Sequence, residues 1–279
     1  MKEYPEAVMV SEWGEPKKAL AGGFHMDFLL HFNTECYNAL FRAEEPFFSK
    51  RGKGDIGPLV KEYGAIYAAT REKGFICIPS GNHDMERLSR GKDMEELKLC
   101  FAFLLSMPGA PFIYYGDEIG MRYLEGLTSV EGGYNRTGSR SPMQWNSSVN
   151  SGFSTAAQEK LYIRMDEDDE HPTVDKQLKD KNSLLQEIMK LTALRKEYPA
   201  LQGKGEFEFV YAREKKYPLV YLRKCDNQVI IIALNPSNQE TSCEFKIVVS
   251  GVIHFIGTEA RIMDGKLILH PCSATFFEV

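Results

Sequence analysis

The chain opens with four short apolar runs, each giving way to a polar or charged cluster. Ala7-Val-Met-Val-Ser-Glu12 closes on a carboxylate, and Phe24-His-Met-Asp-Phe-Leu-Leu-His31 closes on an imidazole. Phe75-Ile-Cys-Ile78 leads into Pro79-Ser-Gly-Asn-His-Asp-Met-Glu-Arg87, and Pro111-Phe-Ile-Tyr-Tyr115 leads into Gly116-Asp-Glu118. Short continuous apolar runs bounded by turn residues predict buried strands. Between them the apolar spacing changes to that of helices. One helix is expected from about Thr34 to Arg42, and a second opens at Gly57-Pro58 and runs through Val60, Ile66, Tyr67 and Thr70. A third starts at Asp93, passes through Leu97, Cys100, Phe101, Leu104 and Leu105, and stops at Pro108-Gly109. Trp13-Gly14-Glu15-Pro16 reads as a break. Strands alternating with helices predict a parallel sheet with helices outside.

From Met121 to about Lys179 the periodicity dissolves into Gly, Ser, Asn, Asp and Pro, and the acidic run Asp166–Glu170 reads as a solvated loop. A long irregular stretch beside a strand end is more often functional than accidental. A helix follows over Asn182–Glu197, with Leu184, Leu185, Ile188, Leu191 and Leu194 at helical spacing. Beyond Gly203 short alternating runs begin at Phe207, Leu219, Val229, Cys243, Lys266 and Ala274, the fourth of them reaching Val249. Turns are marked at Asn235-Pro236 and Asp264-Gly265. This texture predicts an antiparallel β module. The boundary is placed near Gly203, giving units of residues 1–202 and 203–279.

Composition narrows the function classes. The 279 residues carry a net charge of -5, which argues against nucleic acid or anionic membrane as the main partner. No apolar run reaches the ~20 residues of a membrane span. The six cysteines are widely spaced without a C-x-x-C pair, and no secretory apolar segment opens the chain, so reduced thiols in the cytoplasm are expected. Gly52-Lys-Gly-Asp-Ile-Gly57 spells a dinucleotide fingerprint but does not follow a buried strand, and is rejected. His25, His31, His171, His254 and His270 lack the spacing of a zinc site and read as structural or surface residues. There is no G-x-S-x-G nucleophile elbow. What remains is Glu12 and Asp84, two carboxylates at the ends of different strands, with His83 beside the second. Paired carboxylates suit acid/base work on a glycosidic bond, one protonating the leaving oxygen and the other steadying an oxocarbenium-like centre. Glu15 competes with Glu12, but Glu12 terminates the apolar run directly.

Four segments carry a family resemblance. Met9-Val-Ser-Glu12, Ser80-Gly-Asn-His-Asp-Met-Glu-Arg87, Pro108-Gly-Ala-Pro-Phe-Ile-Tyr-Tyr-Gly-Asp-Glu-Ile-Gly-Met121 and Arg140-Ser-Pro-Met-Gln-Trp145 resemble the alpha-amylase family, glycoside hydrolase family 13, in that family's order. Arg140–Trp145 is most similar to its oligo-α-glucosidase and trehalose-synthase-like branch. Pro172–Gln177 and Asn182–Arg195 are similar to the region preceding that family's C-terminal β-sandwich. The resemblance implies an α/β fold, a TIM-type (β/α)8 barrel followed by an antiparallel β-sandwich. It implies Glu12 as general acid/base after strand five, Asp84 as the stabilising carboxylate after strand seven, and His83 as a sugar ligand. Arg87 and Arg140 become substrate-side contacts. Ser11 stands where the family usually has Gly. No metal or other cofactor is required by the residues present.

Against the family pattern, the part before Gly203 holds four strand candidates, where a closed barrel needs eight. The family's nucleophilic Asp after strand four has no counterpart, nor has the excursion after strand three that often binds calcium. Met1-Lys-Glu-Tyr-Pro5 resembles the tail of the fourth helix, so the expectation is strands five to eight plus the C-terminal domain. The implied function is that of a fragment of a retaining enzyme acting on α-glucosidic bonds, with an α-glucan or oligosaccharide substrate, and inactive alone. Exposed strand edges would then pair with an N-terminal half-barrel or in a homodimer. If the chain did turn over, Asp84, Asp117 or a partner's carboxylate would have to serve as nucleophile. The alternative is a non-catalytic carbohydrate-binding or scaffolding relative.

Overall fold

A computed structural model describes residues 3–32, 34–129, 131–132 and 136–279. Three parallel strands, β1 (Val10–Ser11), β2 (Met26–Phe28) and β3 (Phe75–Cys77), lie side by side in chain order. Val10 pairs with Met26 and Met26 with Phe75, so the strand ends are in step and their following loops share one face. The expected strand from Ala7 is shorter and more open than its apolar character implies. Only Val10–Ser11 pairs, on one side, and residues 3–10 are exposed.

The fourth expected strand, from Pro111, is reduced to a single parallel bridge between Pro79 and Phe112. Proline has no N–H to donate, and both segments carry one where a ladder would begin. The Ser80 hydroxyl instead accepts the Tyr114 amide at 2.9 Å, while the Ser80 amide donates to the Phe112 carbonyl at 2.9 Å.

Helices fill the connections. The expected break after Trp13 contains a short helix, α1 (Pro16–Ala21), because proline in the first turn can start a helix. α2 (Glu35–Phe41) follows β2, and a π-helical turn over Leu59–Tyr63 runs into α3 (Gly64–Thr70). α4 (Met94–Ser106) has a capping box. Asp93 accepts from the Glu95 and Glu96 amides, and the Glu96 side chain accepts from the Asp93 amide at 2.8 Å. After α4 the chain turns at Gly109 (φ +88°), where a Cβ would lie 2.0 Å from the Ile76 carbonyl oxygen. Only glycine lets this turn close against β3.

The irregular stretch is held by charge. Arg122 bonds Asp166 at 2.6 and 3.0 Å and Asp168 at 2.5 Å, and Asp166 is buried. The acidic run is therefore anchored at its start by the buried Asp166, while residues 167–170 are exposed loop, as the sequence leads one to expect. α5 (Val174–Lys179) and α6 (Leu184–Glu197) follow, capped by the Thr173 and Ser183 hydroxyls.

The remainder is antiparallel. Its strands are β4 (Glu206–Tyr211), β5 (Leu219–Cys225), β6 (Gln228–Asn235), β7 (Thr241–Glu244), β8 (Gly251–Ile256), β9 (Arg261–Met263), β10 (Lys266–Leu269) and β11 (Ser273–Glu278). One sheet has the order β4-β5-β6-β11-β8 and the other β7-β10-β9. The alternating pattern does not mark β8 or β9, and β7 stops short of Val249, where the pattern would carry it.

Alternation in the larger sheet explains the unbroken apolar run Val229–Leu234. Ile230, Ile232 and Leu234 join the core that contains Leu97 and Phe103 of α4 and Ile188 of α6. Ile231 and Ala233 point the other way and pack with Cys243, Leu267 and Leu269 of the smaller sheet. A strand covered on both faces loses the polar half of its pattern. The helical core and the larger sheet are thus one continuous apolar cluster, crossing the expected boundary near Gly203 without a break.

Candidate active site

Glu12 directly follows β1, and His83 and Asp84 lie on the loop after β3. The in-step parallel strands deliver all three to the same face. Their ligand atoms, one from each side chain, lie within 4.8 Å of one another. A cavity of about 210 Å³ beside them is lined by Glu12, Phe28, Gly81, His83, Phe112 and Tyr114, among others. The structure thus brings together the two carboxylates singled out from the sequence.

Asp84 is held from three sides. Arg136 Nη1 and Arg140 Nη2 each reach Oδ1 at 2.9 Å, and His83 Nε2 lies 3.3 Å from Oδ2. Arg140 also donates through Nε to the His83 carbonyl at 2.8 Å, and the Asp84 amide donates to Asn82 Oδ1 at 2.8 Å. The three clustered ligand atoms are close enough to share a cation. The two guanidiniums on Asp84 Oδ1 put positive charge beside the cluster, so the local charge disfavours a metal ion there.

Below this face sits a buried ion pair. Arg87 Nη1 lies 3.1 Å from Asp117 Oδ1, with both side chains fully buried, and Arg87 also donates to the Tyr115 carbonyl at 2.7 Å. The guanidinium lies 5.2 and 5.0 Å from the ring centroids of Tyr114 and Tyr115. Ser80 Oγ donates to Asp117 Oδ2 at 2.7 Å. Burial raises the Asp117 carboxyl above its ordinary pKa, a shift opposed by Arg87 and the Ser80 hydrogen bond. The expected substrate contact at Arg87 is corrected accordingly, because its guanidinium lies under the site and not on its open face. Asp117 is equally enclosed and cannot reach a sugar carbon as nucleophile.

Residues 2–204 match the family model described as alpha amylase, catalytic domain. The chain belongs to the alpha-amylase family. Among curated proteins it is similar to a trehalose synthase/amylase of Mycobacterium tuberculosis, 38% identical over 112 residues, covering 39% of this chain and 18% of that protein. A maltogenic alpha-amylase of Bacillus acidopullulyticus is 32% identical over 160 residues, 56% of this chain and 20% of the relative. A glucan 1,6-alpha-glucosidase of Streptococcus pneumoniae is 28% identical over 241 residues, 75% of this chain and 44% of the relative. Of solved structures, a trehalulose synthase mutant superposes with a TM-score of 0.79 at 18% identity, covering 100% of this chain and 57% of the other. The alpha-amylase of H. orenii gives 0.74 at 22% identity, with 99% and 54% covered. The chain spans less than half the length of these curated relatives and little more than half of the solved structures.

Within this alpha-amylase-family chain, two residues of the site escape sequence reasoning. Asp27 is fully buried on β2, and its Oδ1 accepts the Trp13 and Gly14 amides at 3.1 and 3.3 Å. It fixes the backbone that leaves Glu12. The available signal is an acid inside an otherwise apolar run, which a buried strand does not carry without a task. Arg136 lies in the stretch without periodicity, where no spacing rule marks it. His31, read as structural or surface, lies close enough to Arg42 and Asp84 to feel both charges. Burial and Arg42 lower its pKa and Asp84 opposes them.

Proposed function

We propose that this chain supplies the acid/base half of a retaining enzyme acting on α-glucosidic bonds, by hydrolysis or transfer. The observation that carries the reading is the convergence of Glu12, His83 and Asp84 from two strand ends, with Asp84 clamped by Arg136 and Arg140. Residues 1–202 are assigned as strands five to eight of a (β/α)8 barrel and residues 203–279 as the following β-sandwich domain. The three parallel strands, the extended segment at Phe112 and the two packed antiparallel sheets support this layout.

In this reading Glu12 passes its proton to the glycosidic oxygen as the bond from that oxygen to the anomeric carbon breaks. Asp84 steadies the positive charge left on the sugar, and His83 bonds a neighbouring hydroxyl. Arg136 and Arg140 keep Asp84 pointed at the sugar. Arg87 and Asp117 act beneath, fixing the loops after β3 and around Tyr115. A retaining mechanism also needs a carboxylate about 5 Å from the acid to form the covalent glycosyl intermediate. Asp84 is committed to its two arginines and Asp117 is buried, so that nucleophile must come from a segment that completes the barrel. The substrate is an α-glucan or oligosaccharide.

The test is release of nitrophenol from an aryl α-glucoside. The 279-residue chain alone should show no turnover above its Glu12→Gln variant. Adding a polypeptide with the N-terminal half of an alpha-amylase barrel should restore turnover, and Glu12→Gln should abolish it again. Turnover by the chain alone would refute the need for an outside nucleophile. A completed barrel indifferent to Glu12→Gln would refute the assignment of the acid.

A further inference from the structure

Glu12 and His83 follow the C-terminal ends of the parallel strands. At the opposite ends, where Phe75 opens β3, lies a larger cavity of about 500 Å³, walled by Tyr63, Tyr67, Phe75 and the turn at Gly109. We propose that this cavity binds a small organic phosphate, with a flat ring along the two tyrosines and a dianionic phosphate monoester toward Lys73 and Lys204. The site lies apart from the glucosidic chemistry and does not depend on it.

Charge carries the inference. Two buried guanidiniums, Arg195 and Arg223, bond the cavity's own walls. Arg195 donates to the Gly109 carbonyl at 2.7 Å and Arg223 to the Glu206 carbonyl at 3.1 Å, and Gly109 and Glu206 both line the cavity. The other acceptors that these two arginines reach are carbonyls as well, those of Leu105 and Met107 for Arg195 and of Ser106, Leu201, Gln202 and Gly205 for Arg223. Carbonyl dipoles solvate the two charges without cancelling them. Burial pulls each guanidinium down to about 10, and Arg195 adds to the fall at Arg223, so both stay protonated at neutral pH. The lining adds Arg71, Lys73 and Lys204 against Glu72 and Glu206, and Arg71 Nε already lies 3.3 Å from Glu72 Oε1. Positive charge is thus in excess here, on a chain whose net charge is -5. A cleft with low-dielectric walls and one dominant sign of charge concentrates the opposite ion, and a dianion answers such an excess better than a single carboxylate.

Shape supplies the rest of the ligand. The Tyr63 and Tyr67 rings are nearly parallel, with centroids 6.0 Å apart and planes 15° apart, and Tyr67 is half-buried, which leaves part of its face open. The Tyr63 hydroxyl is buried without a hydrogen-bond partner, a donor left over in the aromatic wall. This end of a parallel barrel ordinarily serves stability, and a purely structural role would fill the space with side chains.

Phenyl phosphate is the probe, titrated into the 279-residue chain by isothermal calorimetry. The expected result is a saturable heat with one site per chain. Lys73→Gln combined with Lys204→Gln, both at exposed positions, should weaken binding by about tenfold or more, because two charge-assisted contacts are lost. Tyr67→Leu keeps apolar bulk without a flat face and should weaken it less. Inorganic phosphate has the charge without the ring and phenol the ring without the charge, so each should bind more weakly than phenyl phosphate. Arg140→Gln, which thins the other cluster of guanidiniums around Asp84, should leave binding as it is. Far-UV circular dichroism checks that each variant is folded.

The proposal is overturned if no saturable heat is seen, or if the folded Lys73→Gln/Lys204→Gln protein binds as tightly as its parent. Inorganic phosphate binding as well as phenyl phosphate would also overturn it, since the aromatic wall would then contribute nothing. A loss on Arg140→Gln would place the ligand at the Asp84 clamp and not at this end of the strands.

Discussion

Asp84 carries two guanidiniums on one oxygen, an arrangement that spends two long side chains to hold one short one. Arg140 does more than pair, since its Nε also pins the His83 carbonyl. Replacing Arg140 with alanine should therefore disorder both side chains of the His83–Asp84 loop, whereas lysine would keep a charge but lose the fork. In the completed barrel, Arg140→Ala should lower kcat/KM on an aryl α-glucoside by about 100-fold, with Arg140→Lys falling between it and wild type. An Arg140→Ala variant as active as the parent would show that Arg136 alone suffices. At this scale the sequence is informative where a charge ends an apolar run, as at Glu12 and at the Asn82-His83-Asp84 cluster. It is silent where the contact is purely three-dimensional. Arg136 reaches Asp84 across 52 positions of chain, and Asp27 looks like a blemish in a strand until its carboxylate is seen receiving two amides. Arg87 misleads for the opposite reason: its place beside the motif is legible, but its direction is not.

Elements form here where local signals agree, and they join where buried charge is shared. The capping box at Asp93 and the serine cap of α6 are readable because their partners lie within one helical turn. β8 is not, because it is an edge strand paired only with β11, and only Ile256 among its residues is buried. That edge strand is tied to α6 by His254, whose Nε2 lies 2.5 Å from Glu187 Oε1. Burial pushes the Glu187 carboxyl up, but the contacts with His254 and Lys190 outweigh it, so Glu187 sits below its ordinary pKa. A carboxyl lowered in the folded state adds stability above its unfolded pKa and loses it as pH falls through the folded value. Glu187→Gln should thus cost about 1–3 kcal/mol near neutral pH. The gap from wild type should close as pH drops below the ordinary glutamate value. Urea melts of both proteins across that range measure it, and a gap independent of pH would assign the effect to packing and not to charge.

At the scale of the molecule, the parallel sheet ends openly on both sides while the antiparallel part is firmly joined to the helices. On the first edge Val8, Met9 and Trp13 are exposed, and on the other Phe112 and Ile113 are. If the N-terminal barrel half belongs there, the chain alone should associate through these edges. Light scattering should then give a mass that rises with concentration, and the added half should replace this with a defined complex of one copy each. A strict monomer at all concentrations would count against an open barrel.

The other side of the molecule leads to the opposite expectation. Arg223 on β5 is buried with no carboxylate in salt-bridge reach among the described residues. It donates instead to the Gln202, Gly205 and Glu206 carbonyls at 2.6, 3.0 and 3.1 Å and to the Ser106 carbonyl at the end of α4. The Tyr221 hydroxyl and Ser106 Oγ share a hydrogen bond in the same layer. One guanidinium therefore satisfies carbonyls from both sides of the expected boundary, on top of an apolar cluster that already crosses it. Removing it leaves several buried acceptors bare at once, so Arg223→Met should cost about 3 kcal/mol or more. Because the core is shared, the loss should appear in calorimetry as one transition moved to lower temperature. Two separate transitions, with only one displaced, would mean that residues 203–279 fold independently and that the shared core contributes little to their stability.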